Sequence, residues 1–410
     1  MNQKLRCEAQ QIMEYAIGKS LPDRAVAEAL EQYDFSGRIY LVAIGKAAWQ
    51  MASAAVRCLK VPVVDGIVLT KYGHVKGDIP GVRCFEGGHP IVDENGLAGT
   101  QAFLDMTANL TAQDRVLFLI SGGGSALFEK PLVSLAALQE LNRQLLAAGA
   151  SVTEINILRK RLSAVKGGRF AKWCEPSHID SVILSDVLGD PLDMIASGPA
   201  APDCSTCEDA MGIVKKYGLE VPEEVLACLG QETPKRLGHV SNHVIGSVAR
   251  LCQAVAEKCR ELGYETHILT DRMCCEAREA GRFMASIAGS GLGTGKRAYV
   301  AGGECVVHLH GKGLGGRNQE LALAAAEGLA GLSGVALFSV GSDGTDGPTD
   351  AAGGYVDGDS LAVLEARGIH LQDALADNDS YHALEAVGGL LKTGPTGTNV
   401  NDFTVVLIDA

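Results

Sequence analysis

Positive charge is scarce in this chain: 36 lysines and arginines stand against 49 aspartates and glutamates, a net charge of −13. That balance excludes general affinity for nucleic acid or for acidic membrane surfaces, so an anionic ligand must rely on a local basic site. A long apolar run is also missing. Residues 321–340 come closest, but Glu327, Gly328, Gly331, Ser333 and Gly334 divide them into a helix end, a turn and a strand. No membrane span is expected. Residues 1–20 lack the apolar centre of a secretion signal and carry apolar residues at helical spacing, so a cytoplasmic protein is expected. The 12 cysteines then read as reduced thiols; Cys204 and Cys207 have CxxC spacing, but no second CxxC completes a metal site. Three catalytic signatures are absent: GxxxxGK[ST], GxSxG and HExxH. Their absence argues against a P-loop fold, nucleophile-elbow hydrolysis and zinc peptidase chemistry.

What is present is an ordinary globular composition, 47% hydrophobic and 21% charged, over 410 residues, enough for two domains. Short β-branched runs alternate with helical stretches, the pattern of parallel sheets with crossover helices. Strands are expected at 39–44, 66–70, 115–120 and 179–184, then at 242–245, 265–269, 297–301, 305–310, 335–340 and 404–408. Helices are expected at 47–59, 135–148, 248–262, 277–288, 317–329 and 361–367. Residues 231–238 are polar and hold Pro234 and Gly238, which sets the expected division at 1–235 and 236–410. The fold class is α/β.

Four glycine-rich turns follow expected strands, where open α/β folds bind ligands. In Ile44-Gly45-Lys46-Ala47, Lys46 stands at a strand end beside a helix start, a place suited to anions. Lysines are common at such turns, so the residue alone signals little. Ser121-Gly122-Gly123-Gly124-Ser125 has more glycine than a plain turn needs, and its backbone and flanking hydroxyls suit a phosphate. In the third turn, Gly311, Gly313 and Gly316 match GxGxxG, which supports a rival reading as an NAD(P)-dependent reductase. The ribose-binding acid expected ~20 residues on is missing, the first acid past the next strand being Asp343. Arg317 and Asn318, opening the following helix, suit a transferring phosphate instead.

The fourth turn carries Asp343, Asp346 and Asp350 on one strand-terminal loop. Mg²⁺ takes one or two carboxylates with waters and substrate phosphates, so this loop is a candidate metal site, although Asp and Gly also simply favour turns. Asp190, with Asp186, adds acids after the strand at 179–184. Glu304 reads as a base or as a partner of Arg317, and His89 as a substrate-positioning or structural residue. From Arg159 to Lys172 there are basic residues at 159, 160, 161, 166, 169 and 172 and no acid. Such runs are usually solvated helix faces, but Gly167 and Gly168 would break the helix and free backbone amides beside the charges. Lys166 and Arg169 are therefore candidates for a substrate carboxylate.

The motifs at Ala43-Ile44-Gly45-Lys46, at 121–126, 155–169, 185–199, 311–320, 344–353 and 396–402 resemble those of the bacterial glycerate 2-kinase family, in order over almost the whole chain. The carboxy-terminal part resembles the MOFRL domain. The resemblance implies a Rossmann-like doubly wound amino-terminal domain, a smaller mixed-sheet α/β carboxy-terminal domain, and ATP- and Mg²⁺-dependent phosphorylation of glycerate to 2-phosphoglycerate in the cleft between them. It implies Lys46 and Arg317 as the catalytic pair, with Ser121, Gly122, Gly123, Gly124, Ser125 and Asn318 about the nucleotide. Arg161 departs from the family, which usually has histidine there. Members have often been labelled hydroxypyruvate reductase, the same rival that GxGxxG raises; a non-catalytic small-acid binding protein is a third reading. No nucleic-acid or membrane partner is expected, and the sequence sets no oligomeric state, a homodimer being one option.

Overall fold

The computed structural model describes residues 2–32, 37–290 and 295–409, which form two compact units, Pro22–Ile245 and Met1–Leu21 with Gly246–Ala410. Among the described residues no helix is long and apolar enough to cross a membrane.

The Pro22–Ile245 unit is built on β1 (Arg38–Ile44), β2 (Val63–Lys71), β3 (Val82–Gly87), β4 (Asp114–Ile120), β5 (His178–Leu184) and β6 (Val240–Gly246), in the order β3-β2-β1-β4-β5-β6. The first five strands pair in parallel. Residues 41–44 and 116–120 are buried throughout, as strands covered on both faces must be. Ile44 stands opposite Ile120. From β1 the chain winds outward one way to β2 and β3, then returns to β4 on the other side. The carboxyl ends of β1 and β4 therefore form the topological switch point where such sheets bind ligands. Phe118, Phe128 and Phe170 pack edge to face under this end of the sheet, with ring centroids 5.1–6.0 Å apart.

The second unit carries β7 (Glu265–Met273), β8 (Lys296–Gly303), β9 (Val335–Gly341), β10 (Gly353–Asp357), β11 (Leu390–Leu391) and β12 (Asp402–Asp409), in the order β11-β10-β9-β12-β8-β7. It is a mixed sheet: β7 and β8 are parallel, and the other pairings are antiparallel. The helix Arg317–Leu329 buries residues 318–326 in its core.

Three expectations change. The strand expected to open the second half, at 242–245, belongs to β6 and closes the first sheet. The amino-terminal helix Gln3–Lys19 belongs to the carboxy-terminal unit, because Leu5, Ala9, Ile12, Met13 and Ala16 form a buried stripe. Arg6 Nη2 also donates to Leu390 O (2.7 Å) and Lys296 Nζ to Glu8 (3.0 Å). Residues 305–310 form no strand; only Val306 makes an isolated bridge, to Glu276.

Candidate active site

At the switch point the ends of β1 and β4 are stitched together. The Lys46 amide donates to Gly122 O (2.8 Å), and Ser121 Oγ donates to Ile44 O (3.1 Å) while accepting from the Ala47 amide (3.1 Å). Ser121 is buried and both of its hydrogen-bonding roles are taken, so it shapes the turn and does not serve as a phosphate ligand. Gly123 sits at φ +86°, where a Cβ would stand 3.1 Å from the His89 ring and 3.2 Å from Lys46 Cγ. The missing side chain is what lets His89 and Lys46 lie against the turn. Lys46 is half-buried and has no ion-pair partner among the described residues. Burial, and then the nearby Lys46, Lys71 and His74, lower the His89 pKa and keep its imidazole neutral.

Beside this turn lies a cavity of about 270 Å³ lined by His89, Gly123, Ser125, Asn156, Arg159 and Asp186 among others. Strained backbone occurs in the segment that carries its lining residues Met194 and Ala196: Asp190, Ala196 and Ser197 have φ of 53°, 50° and 60°. Ala196 lines the cavity, and Ser197 Oγ hydrogen-bonds to Ser125 Oγ and Asn156 Oδ1, both at 3.0 Å. Non-glycine residues in this region cost about 1–3 kcal/mol each and cluster at functional sites. Asp190 Oδ1 is buried without a hydrogen-bond partner among the described residues.

The basic run is mostly structural. Lys166 is fully buried and donates to Glu129 (2.7 Å) and Phe128 O (2.8 Å), and burial, only partly offset by Glu129, lowers its pKa. Arg169 Nη1 donates to the carbonyls of Lys160, Arg161 and Ser163, closing the end of the helix Val152–Arg161. Lys166 is therefore not placed to meet a substrate carboxylate, and Arg169 gives its Nη1 to the chain and lies outside the cavity lining. The Gly167 and Gly168 amides are not free either; they donate to Ser197 O (3.0 Å) and Gly198 O (2.7 Å) and brace the strained segment. Arg161, the departure from the family pattern, is fully buried and ties down the Ser205 turn through Nη1 to Oγ and Nη2 to the carbonyl, both at 2.8 Å.

In the second unit Arg317 opens its helix and grips Asp402 through Nε and Nη2 (the latter 3.0 Å), with Nη1 on Glu304 (3.0 Å). Glu304 is thus the partner of Arg317. Burial opposes the Arg317 charge, but Asp402 outweighs it and the pKa rises. Asp402 is pushed up to about 6, by burial above all and against the pull of Arg317, with Asp346 and Glu304 adding to the rise. Asp346 is buried at the amino end of the same helix, accepting from the amides of Asn318 (3.2 Å) and Gln319 (2.8 Å). Asn318 is buried as well, its Oδ1 taken by Ser339 Oγ (2.6 Å), so it does not present its side chain to a nucleotide.

The GxGxxG segment lacks the preceding strand, and most of its amides are engaged. The amides of residues 310 and 311 donate to Asn378 Oδ1, those of 312 and 313 to Asp377, and that of 314 to Asp379. A Cβ on Gly311 would meet the Asp377 backbone at 2.2 Å. These glycines admit a neighbouring turn, and the amides of residues 310–314 are not available to a pyrophosphate.

The acidic loop is also largely occupied. Asp346 caps a helix, Asp350 is exposed and pairs with Lys392 (2.8 Å) and Tyr381 (2.8 Å), and Asp343 makes a turn bond to the Thr345 amide (3.0 Å). Among the described residues no three His, Cys, Asp or Glu side chains gather as a metal cluster. Of the four acids considered for Mg²⁺, Asp190 has the buried, unsatisfied oxygen that fits a hard cation sharing its shell with water and phosphate. Sequence reasoning singled out neither Arg159 nor Asn156 as a ligand, nor Asp402 as the partner of Arg317. Arg159 was visible only as one member of a charge run, and Asp402 lies 85 positions from Arg317.

Residues 8–230 match the family described as a domain of unknown function (DUF4147), and residues 297–402 match the MOFRL family. The chain is 50% identical to a D-glycerate 2-kinase of Thermotoga maritima, covering 99% of both chains. It is 40% identical to a glycerate 2-kinase of Pyrococcus horikoshii, covering 96% of this chain and 95% of that one. The crystal structure of a Thermotoga maritima glycerate kinase superposes with a TM-score of 0.96 at 50% identity, covering 99% of this chain and 100% of the other.

Proposed function

The chain belongs to the glycerate 2-kinase family, and from that premise we propose that it transfers the γ-phosphoryl group of ATP to glycerate, giving 2-phosphoglycerate. The observation that carries the reading is an end-to-end likeness, in sequence and in fold, to a D-glycerate 2-kinase. In the reaction the 2-hydroxyl oxygen of glycerate attacks the γ-phosphorus. The bond from phosphorus to the β,γ-bridging oxygen breaks, ADP leaves, and the hydroxyl proton is released. Most of the catalysis in such a transfer is positioning and charge stabilisation.

Lys46 suits that task because it is an unpaired cation at the switch point, beside a turn whose glycines let a phosphate approach the backbone of Gly122, Gly123 and Gly124. Arg317 is the second catalytic cation, its guanidinium held in one orientation by Asp402 and Glu304. Asp190 holds Mg²⁺, which neutralises phosphate charge when bound. His89 orients the substrate as a neutral imidazole.

A coupled assay of ADP release with D-glycerate, with and without Mg²⁺, tests the reading, and NMR of the product identifies the phosphorylated hydroxyl. ADP release that depends on glycerate and a 2-phosphate product are expected. No ADP release, together with NADH oxidation by hydroxypyruvate, would replace the kinase with the reductase.

A further inference from the structure

Within the basic run one cation differs from the rest. Lys160 is paired with Asp193 and Asp203, Arg161 with Asp203 and Glu232, Lys166 with Glu129, and Lys172 with Glu175, while Arg169 gives its Nη1 to three carbonyls and does not line the cavity. Arg159 makes a single hydrogen bond, from Nε to Asn142 Oδ1 (3.1 Å). Its Nη1 and Nη2 have no partner among the described residues. The Nε bond fixes the plane of the guanidinium and leaves its outer edge, the edge that receives a carboxylate in two parallel bonds.

Arg159 lines the 270 Å³ cavity with His89, Ser125 and Asn156. Burial lowers the Arg159 pKa against a partial offset from Glu129, so the charge is desolvated without a counter-ion in contact. A cavity at the small end of the ~300–1,000 Å³ range of ligand clefts has room for a small acid. Asn156 is held through its Oδ1 by Ser197 Oγ, whose left-handed backbone is braced by the Gly167 amide. The polar lining is therefore set before any ligand arrives. His89 touches both this cavity and the turn against which Lys46 lies.

The geometry points to Arg159 as the residue that binds the glycerate carboxylate, in the cavity it shares with His89, Ser125 and Asn156. The assignment rests on the kinase reading for the identity of the acid, and it replaces Lys166 and Arg169 in that role.

The test compares wild type, Arg159→Met and Arg159→Lys by calorimetric titration with D-glycerate, by steady-state kinetics, and with glyceramide, the neutral amide, as alternative substrate. Truncating one partner of a buried charge pair weakens binding by on the order of 10²-fold. A loss of that size is expected for glycerate affinity in Arg159→Met, with partial recovery in Arg159→Lys and an unchanged KM for ATP. Wild type prefers glycerate to glyceramide by a similar factor, and Arg159→Met loses that preference. This last ratio is internal to each protein, so general damage to the fold does not imitate it; should Arg159→Met not fold, Arg159→Lys and the wild-type ratio carry the same test. Unchanged glycerate affinity overturns the assignment, as does a rise confined to the KM for ATP, which would give the guanidinium to a nucleotide phosphate. Glycerate binding that depends on Arg159 in a protein that releases no ADP overturns the kinase reading and leaves the carboxylate site standing.

Discussion

Replacing Arg317 by alanine removes the cation paired with the buried Asp402 carboxylate, and the cost should depend on pH in a way the structure specifies. Asp402 is raised from the usual 3.8 to about 6 even with Arg317 bound to it. A carboxyl whose folded pKa exceeds its unfolded value contributes stability fully present below the unfolded value and lost as pH rises through the folded one. Removing Arg317 takes away the interactions that hold this pKa down, so it climbs above 6. For each pH unit above 6 over which the variant keeps its proton and the wild type does not, the variant loses a further ~1.4 kcal/mol. At pH 8 this reaches about 3 kcal/mol, the lower end of the ~3–5 kcal/mol expected on breaking a buried pair. At pH 5 both proteins hold the proton and the difference disappears, leaving only the half-exposed contact with Glu304, worth about 0–1 kcal/mol. Urea unfolding at pH 5 and pH 8, followed by circular dichroism, measures both values. Arg317→Lys, which keeps a charge, should lose less at pH 8. A destabilisation of equal size at the two pH values would refute the argument.

Four further outcomes follow from the same geometry. Lys46→Ala should lower kcat by about 10²–10³-fold with little change in the KM for ATP, because the charge it meets develops in the transition state; a change confined to KM would make it a ground-state ligand. Glu129→Gln should cost ~3–5 kcal/mol in urea unfolding by stranding the buried Lys166 ammonium, with the KM for glycerate unchanged; a large rise in that KM at intact stability would return Lys166 to the substrate. Asp346→Asn should cost about 1–2 kcal/mol through the lost helix cap without moving the Mg²⁺ concentration for half-maximal rate, whereas Asp190→Asn should raise it; the reverse pattern would restore the acidic loop as the metal site. NADH should show no saturable binding by calorimetry, since the amides of residues 311–314 are already engaged and the ribose-binding acid is missing, and a micromolar site would contradict that account.

The central strands were legible because strands buried on both faces must be apolar along their length: β1, β4, β5, β9 and β12 read directly. Two other strands were not, although the edge strands β6 and β7 were expected at 242–245 and 265–269. β3 carries Arg83 and Glu86 in a half-buried pattern that resembles a loop. β10 begins with Gly353-Gly354, which reads as a turn, yet a Cβ on Gly353 would stand 1.9 Å from Ser339 O. Glycine there permits strand contact, a requirement set by β9 and invisible locally. Residues 305–310 show the opposite error. Their alternation matches a strand, but the amides at 310 and 311 pair with Asn378, 68 and 67 positions on. Local pattern reports which conformations a segment tolerates; the partner decides which one it adopts.

The same limit governs the site. Two glycine-rich turns look alike in sequence, and only packing separates them: at Gly123 the missing Cβ makes room for Lys46 and His89, while at Gly311 it makes room for the backbone of Asp377. Cations pose the harder version of this problem. A run of basic residues announces charge, but whether that charge is available depends on acids elsewhere in the chain, such as Glu129 for Lys166, 37 positions away, and Asp203 for Lys160, 43 positions away. Burying a cation is costly unless an anion meets it. In a folded chain, then, the informative residue in such a run is the one left uncompensated. By that criterion Lys166 is excluded by its ion pair with Glu129, and Arg169 gives its Nη1 to the chain and lies outside the cavity lining. Arg159 remains, lining a small cavity with no ion-pair partner among the described residues, which is why the proposed anion is a ligand.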